Sequence, residues 1–482
     1  MSMNEALFKI RWSSGPRAVW LCAAVVVGGC SSTAVVQSES SSIPAAWQSA
    51  AVMSQPVASV PWLDPQLQAL QRQALTANRD LAQAALRWQQ AQRLVTQADI
   101  RLQTDLGAGA SASRPLERSS SSRTVQVDGV NVPVNTSVGW SRSFGVSAGA
   151  GYEVDLWDRL SHAQAAQRAQ AEAARTDIAA ARALLLGQVA ERYWTVAAAQ
   201  AQQALVQEQE QLAREIVELT KLRVQEGKLM PVEVDKAGTV LLSDQVRLSD
   251  LSADGQLQRH QLALLLAQAL PGPALQGARL PAGSPPTEVL GSPAEVLARR
   301  PDVQRARLSV DAALARLRAS ESDRYPRLSF SANVSTGGGE IRQWLNQPLA
   351  SLAANLVVPL VDWRRLDLQR DTARTDLELA ALALREALNK ALVEVEAQLI
   401  ERQRLQQQAS SMDARLRDLV QAERLAEVRY GVGSLSRLDW LQARRARLSG
   451  EQEQAQLQLR RWVNHSTLHR VLGLEMGDPA AP

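Results

Sequence analysis

Few residues in this chain could carry bond-making chemistry. Two cysteines and four histidines among 482 residues are too few for a disulfide scaffold or a cysteine-built metal site. His465 and His469 are spaced i,i+4, which on a helix puts both rings on one face. With no third ligand nearby, that spacing reads as a surface pair and not as a metal site. No Gly-rich phosphate loop, nucleophile elbow or convergent carboxylate pair is present, which argues against an enzyme. The 53 Lys+Arg and 49 Asp+Glu are interleaved, so the chain lacks the basic stripe that nucleic acid requires.

The remaining reactive candidate is Cys30. Lys9, Arg11 and Arg17 precede an apolar stretch over 18–27 that ends in Gly28-Gly29-Cys30. A basic start, an apolar core and small residues before a cleavage point make a secretory signal peptide. The tail Val27-Gly28-Gly29-Cys30 also resembles a bacterial lipobox, with Val27 where Leu is usual. Cleavage there leaves a cysteine for diacylglyceryl and acyl attachment; an ordinary leader with an incidental cysteine is the alternative. On the lipobox reading residues 1–29 are removed, and loss of Lys9, Arg11, Arg17 and Glu5 lowers the net charge from +4 to about +2. Ser31 stands where an Asp would favour inner-membrane retention, and it permits outer-membrane delivery. Residues 30–63, rich in Ser, Ala, Val and Pro, read as a lipidated, extended tether without a core of its own.

The elements that follow are read from periodicity. Aromatics are only 4% of the chain, which argues against compact cores with aromatic anchors. No interior apolar run reaches the 18 or so residues of a membrane helix. The strongest internal signal is a repeat. Residues 223–237 overlay 429–443 at a constant offset of about 206, with the Arg, Gly, Leu, acidic and Ala positions coinciding. Asp80 and Leu106 match Asp302 and Leu328 at an offset of about 222, so the first copy carries about sixteen additional residues, visible as a loop over 114–138. Chance likeness between Ala/Leu-rich helices is the competing account.

Each copy changes period in the same order. A helical stretch (64–104 in the first copy) precedes two alternating runs. Leu106, Ala108, Ala110 and Ala112 form one run, and Phe144, Val146, Ala148, Ala150, Tyr152 and Val154 the next. Leu328, Phe330, Ala332 and Val334, then Leu352, Ala354, Leu356, Val358 and Leu360, repeat the plan. Runs of roughly ten residues with one apolar face have the pattern of transmembrane barrel strands, though a soluble hairpin alternates too. Four strands cannot close a barrel and an open edge cannot sit in lipid, so several chains must supply the strands jointly. Proline-free stretches over 159–226 and 363–430 predict helices of about 100 Å. Leu205, Leu212 and Leu219, with Ile216, and Val234, Leu241 and Leu248 have coiled-coil spacing. Gly227, and Gly431 with Gly433, mark turns into shorter returning helices.

From about residue 64 to 474 the sequence resembles the TolC-like outer-membrane efflux proteins, most closely their OprM/NodT-type lipoprotein branch. The motifs that carry this are Tyr152-Glu153-Val154-Asp155-Leu156-Trp157-Asp158-Arg159, Arg299-Arg300-Pro301-Asp302, Tyr325-Pro326-Arg327-Leu328, Val358-Pro359-Leu360-Val361-Asp362, Arg429-Tyr430 with Gly433, Leu438-Asp439 and Leu472-Gly473-Leu474. Each is weak alone; their order and spacing are specific. The resemblance implies a mainly α protein with transmembrane β-strands. Three protomers would each give four strands to a 12-stranded outer-membrane barrel, continued by a long periplasmic α-barrel. It implies a first repeat over 64–270, an equatorial linker over 271–293, a second repeat over 294–474 and a tail over 475–482.

The function so implied is an exit duct in the outer membrane of a Gram-negative bacterium. It would passively conduct drugs or other small toxic solutes from an inner-membrane pump of the resistance-nodulation-division (RND) class and its periplasmic adaptor. No cofactor is implied beyond the lipid on Cys30. In relatives, side chains after the second turn narrow the periplasmic entrance; Leu438, Asp439 and Arg445 match such positions, while Gln442 replaces a second acidic residue. Asp439 can also be read as a solvated residue favoured by a helix N-terminus. Gly227, Pro231, Glu233, Gly433 and Ser434, on the turns 225–231 and 431–437, are candidate adaptor contacts. Alternative readings are a duct for type I protein secretion or metal ions, and a lipid-anchored periplasmic coiled-coil scaffold.

Overall fold

The computed structural model describes residues 43–49, 64–114, 120–137, 143–272, 278–281, 283–286, 290–338 and 348–474. Cys30, the leader over 1–29 and the tail over 475–482 lie outside the described residues.

The first helical stretch is two helices, α1 (Pro65–Ala77) and α2 (Arg79–Arg101), where the sequence predicts one over 64–104. Asn78 makes the break. Its backbone N–H ends α1 on the Ala74 carbonyl, and its side-chain oxygen caps α2 through Asp80 N (2.9 Å) and Leu81 N (3.1 Å). Its side-chain nitrogen donates to Leu265 O (3.0 Å), so the kink is fixed from outside the pair.

Strands β1 (Asp105–Ser113) and β4 (Ser143–Val154) join β5 (Arg327–Gly338) and β6 (Leu349–Val357) in an antiparallel sheet of order β1-β4-β5-β6. The register pairs Leu106 with Ala150, Ala148 with Val334, and Phe330 with Ala354, so the alternating apolar positions of β1, β4 and β5 share one face with Leu352, Ala354 and Leu356 of β6. The opposite face is Ser, Gly and Asn over most of its height on β1, β4 and β5, from Gly107 and Ser147 to Ser331 and Asn333, while β6 adds Leu349, Ala353 and Val357 to it. Its charges, Asp105, Glu153 and Arg327, sit at the helix end. β6 lies three residues earlier than the predicted 352–360, because Pro359 has no N–H to give a ladder.

The insertion over 114–138, read as a loop, contains a hairpin of β2 (Ser120–Val127) and β3 (Val130–Ser137). Asp128 (φ 48°) and Gly129 (φ 78°) form its turn, the left-handed pair that a two-residue hairpin requires.

Two helices of 67 and 69 residues, α3 (Arg159–Gln225) and α7 (Trp363–Gly431), are the longest of the described elements. Each turns into a shorter return helix, α4 (Val232–Leu265) and α8 (Arg437–Val471). α5 (Pro293–Arg299) and α6 (Pro301–Ser322) open the second half, so α6-β5-β6-α7-α8 follows the order of α2-β1-β4-α3-α4. Leu205, Leu212, Ile216 and Leu219 of α3 pack on Trp440, Leu441 and Leu448 of α8, which is the seam that their spacing predicts.

The core concentrates at the waist, where α1 and the ends of α4 and α8 meet α3 and α7. Contrary to the expectation from composition, it has aromatic anchors: Tyr193 and Trp194 are fully buried with Leu67, Leu70, Val189 and Leu262. The Trp194 ring lies 5.5 Å from that of Trp462. The Tyr193 hydroxyl donates to Asp64, and burial followed by that carboxylate raises its pKa. Linker residues are pinned here, with Gln458 Nε2 on Pro281 O (2.5 Å) and Arg461 Nη2 on Ser284 Oγ (2.7 Å). Arg300 of the Arg-Pro-Asp motif, only 6% exposed, pairs with Asp302 and Glu394 (2.7 Å each) and donates to Val471 O.

Two expectations fail at the waist. His465 is buried and His469 half-buried, with ring centroids 6.3 Å apart and Trp462 edge-on to His465 at 5.8 Å. The pair is not on the surface, because α8 at this height is enclosed by neighbouring helices. Burial first, then His469 and Arg402, pushes the His465 pKa down to about 4. The segment read as a tether without a core has a docked portion. Trp47, 7% exposed, packs among Val296, Val395, Leu399, Leu468 and Val471. Its Nε1–H donates to Gly291 O (2.9 Å), and Glu396 accepts the backbone N–H groups of Gln48 (2.7 Å) and Ser49 (3.3 Å).

Candidate functional site

The sequence places its candidates at the turns farthest from the sheet. Both turns have one backbone solution. Gly227 (φ 71°) and Gly433 (φ 74°) adopt the left-handed conformation that ends a helix at little cost only for glycine. Glu226 N bonds Leu222 O, Gly227 N bonds Val224 O and Lys228 N bonds Arg223 O (2.8 Å). At the second turn Val432 N, Gly433 N and Ser434 N make the same three bonds to Val428, Tyr430 and Arg429, the last again at 2.8 Å. Nothing lies within 4 Å of where a Cβ on either glycine would stand, so backbone conformation and not crowding selects glycine.

The return helices start differently. Pro231 opens α4 without a side-chain cap, and Glu233 in its first turn pairs with Lys236 (2.7 Å). At α8, Ser436 Oγ accepts from Asp439 N (3.2 Å) and its hydroxyl donates to Asp439 Oδ2 (2.6 Å). Asp439 is exposed but held by this cap. Ser434 Oγ bonds Arg429 O (3.1 Å).

Leu438, Gln442 and Arg445 follow at i, i+4 and i+7 on one stripe of α8, with Asp439 beside it. Leu438 is half-buried and Gln442 exposed. Arg445 reaches Asp244 of α4 (2.6 Å), a carboxylate only 5% exposed. Two neighbours reinforce the join: Arg444 pairs with Glu208 (2.5 Å) and Arg437 with Glu215, both on α3. On the other flank Arg447 pairs with Glu423 of α7. The Tyr430 and Trp440 rings stack at 5.3 Å with 5° between planes. The arrangement fastens α8 to α3 and α4 by separable ion pairs over an otherwise apolar seam.

Sequence reasoning missed Asp244 and the Tyr430–Trp440 stack. A signal for the first existed: an acidic residue interrupts the apolar Val234, Leu241 and Leu248 series of a return helix. The second needs a contact across the turn that spacing alone does not specify. Among the described residues no helix is long and apolar enough to cross a membrane, and no cluster of metal-ligating side chains occurs.

The outer membrane efflux protein family model matches residues 70–268 and 292–474. The chain belongs to the outer membrane efflux protein family. Relatives include the pyoverdine export outer membrane protein OpmQ of Pseudomonas aeruginosa, 27% identical over 94% of this chain and 95% of its own. The toluene efflux pump outer membrane protein TtgC of Pseudomonas putida is 28% identical over 93% of each. Among solved structures, the outer-membrane channel OprN superposes with a TM-score of 0.76 at 23% identity, covering 90% of this chain and 97% of that one. The open state of the Neisseria gonorrhoeae MtrE channel gives 0.74 at 24% identity, covering 89% and 95%.

This family member therefore has the TolC-like fold, works as an outer-membrane efflux duct and stands in the outer membrane with its helices in the periplasm. The sheet is its membrane part. Trp157 and Tyr325, stacked at 4.8 Å, and Trp363 under Arg324 gather at the strand–helix junctions, where amphipathic rings favour the lipid–water boundary.

Proposed function

We propose that three copies assemble into one closed tube that carries small toxic solutes, received from an RND-class inner-membrane pump through a periplasmic adaptor. The observation behind this reading is the open sheet. β1 and β6 are edges, and lipid cannot satisfy their unpaired backbone groups. Exposed Leu86, Leu94 and Ile100 on α2 and Leu368, Leu379 and Leu382 on α7 continue the two edges into the helical part. Joining one copy's β1–α2 side to the next copy's β6–α7 side covers both at once, and threefold closure gives twelve strands. Cys30 would carry a lipid as a second attachment to the membrane.

Leu438, Asp439, Gln442 and Arg445 would line the narrow periplasmic end, with Arg445 on Asp244 holding α8 inward. The turns around Gly227, Pro231 and Glu233 and around Gly433 and Ser434 would receive the adaptor. Exposed Met230 and Val432 (64% and 74%) give those turns apolar contact surface. Single-channel recordings test the gate: Arg445→Ala and Asp439→Ala trimers should conduct more, with altered cation preference, and wild-type behaviour in both would reject it. A deletion strain compared against antibiotics, solvents and metal salts tests the substrate class. Unchanged susceptibility to all three would reject small-solute export.

A further inference from the structure

The docked segment at Trp47 has a place in this architecture that the duct itself does not use. Trp47 fills a waist pocket built from α5, α7 and α8, and its indole and the next two backbone N–H groups are hydrogen-bonded to Gly291 and Glu396. This is a built anchor and not an incidental contact. It fixes one point of the N-terminal chain to the helices at the level of Val395.

Two lengths then become comparable. Along α7, Val395 lies 32 residues from Trp363 at the strand–helix junction, about 48 Å at 1.5 Å per residue. Between Trp47 and Cys30 there are 17 residue steps, which span at most about 55–60 Å. The available chain exceeds the required span by only about 10 Å, or some three residues.

We propose that the Trp47 anchor and a lipid on Cys30 together act as a ruler: α7 fixes how far the waist stands from the outer membrane, and the chain between anchor and lipid is matched to that distance with little to spare. The proposal rests on the lipidation of Cys30 put forward above. A lipid at Cys30 and a strand bundle in the same bilayer are compatible only while the chain between them is long enough, and Trp47 rather than Asp64 sets that length. Releasing Trp47 moves the next fixed point to Asp64, the cap of α1, and adds 17 residue steps.

The test is a length series in the full chain, expressed in Gram-negative cells with mass spectrometry of the mature N-terminus. Deleting the six residues 38–43 shortens the reach by about 20 Å, below the required span. It should lower assembled outer-membrane trimer about tenfold, while a six-residue Gly/Ser replacement of 38–43 should leave it unchanged. Trp47→Ala in the deleted chain should restore assembly, and Trp47→Ala alone should assemble normally. Full assembly of the lipidated deletion variant would overturn the ruler, as would failure of Trp47→Ala to rescue it. A mature wild-type N-terminus without lipid would overturn the lipidation reading itself, and that result is distinct from either of the others.

Discussion

The two turns at the periplasmic end make the same three backbone bonds around a left-handed glycine, yet their return helices are held by different means. α4 begins at Pro231 without a side-chain cap, whereas α8 begins with the Ser436–Asp439 pair. At the offset of about 206, Tyr430 and Trp440 correspond to Val224 and Val234, so only the second turn has a ring stack. Arg437, Arg444 and Arg445 correspond to Pro231, Gly238 and Thr239, none of them charged. A duplicated backbone thus carries the arginines of its interhelical ion pairs on the second return helix, while α4 contributes Asp244 as one partner and bonds α3 through Gln245 and Glu210. Hydrophobic seams resist separation in proportion to area, while an ion pair can be exchanged for water or for another partner's charge. The second return helix is therefore the one whose polar joints to its neighbours are largely ionic.

The largest expected difference between the copies is in their response to acid. Only α8 has a histidine pair at the waist, with His465 buried and His469 half-buried, where α4 buries Leu262 and Ala263. The His465 pKa is about 4 in the folded chain against 6.5 unfolded, so the unfolded state binds the proton first as pH falls. That stability is fully present above pH 6.5 and is lost progressively toward pH 4, by about 3 kcal/mol. Melting of the detergent-solubilised protein at pH 7.5 and pH 4.5 should show this loss, and His465→Gln should reduce it. An equal acid shift in the variant would dissolve this distinction between the copies.

Next comes the Arg445–Asp244 pair. Arg445→Ala leaves a nearly buried carboxylate without its counter-ion and should weaken the local packing of α8 by about 2 kcal/mol. Faster hydrogen exchange over 437–450, with α4 beyond Asp244 unchanged, is the expected reading. Adding Asp244→Leu should recover part of the loss.

A smaller and equal effect is expected at the glycines. Gly227→Ala and Gly433→Ala each force a Cβ into the left-handed region, at about 1 kcal/mol apiece. Unequal melting shifts would show that the two turns are not equivalent in backbone. Smallest is the cap: Ser436→Ala should cost about 1 kcal/mol or less, seen as fraying of α8's first turn by exchange. Pro231→Ala should leave α4's first turn unaltered.

Much of this architecture is legible in the sequence because its elements are long and cleanly punctuated. Proline-free stretches set α3 and α7, glycines mark both turns, and alternation separates β1, β4 and β5, and more loosely β6, from the helices. What escaped depends on contacts between distant segments. Asn78 looks like any polar residue in a helical run until its bond to Leu265 O fixes a kink. The i,i+4 histidines suit a surface as well as a core, and only the helices packed around α8 decide between them. Asp128-Gly129 flanked by alternating valines did announce the β2–β3 hairpin, but the surrounding serines obscured it. At the candidate site, the sequence marks the turns and puts Leu438, Gln442 and Arg445 on one stripe of the helix that follows. The partner that holds Arg445 lies about 200 residues away on another helix and leaves no mark near it.

One face of the sheet is Gly, Ser and Asn for most of its height on β1, β4 and β5, with Leu349, Ala353 and Val357 added by β6 and charge only at the helix end. Turned inward, such a wall sets up almost no fixed potential, so the field inside the barrel follows the ions of the medium. An anion, a cation and a neutral solute of equal size meet the same resistance over this stretch. Over the height of these strands the wall contributes width and wetness and no discrimination by charge.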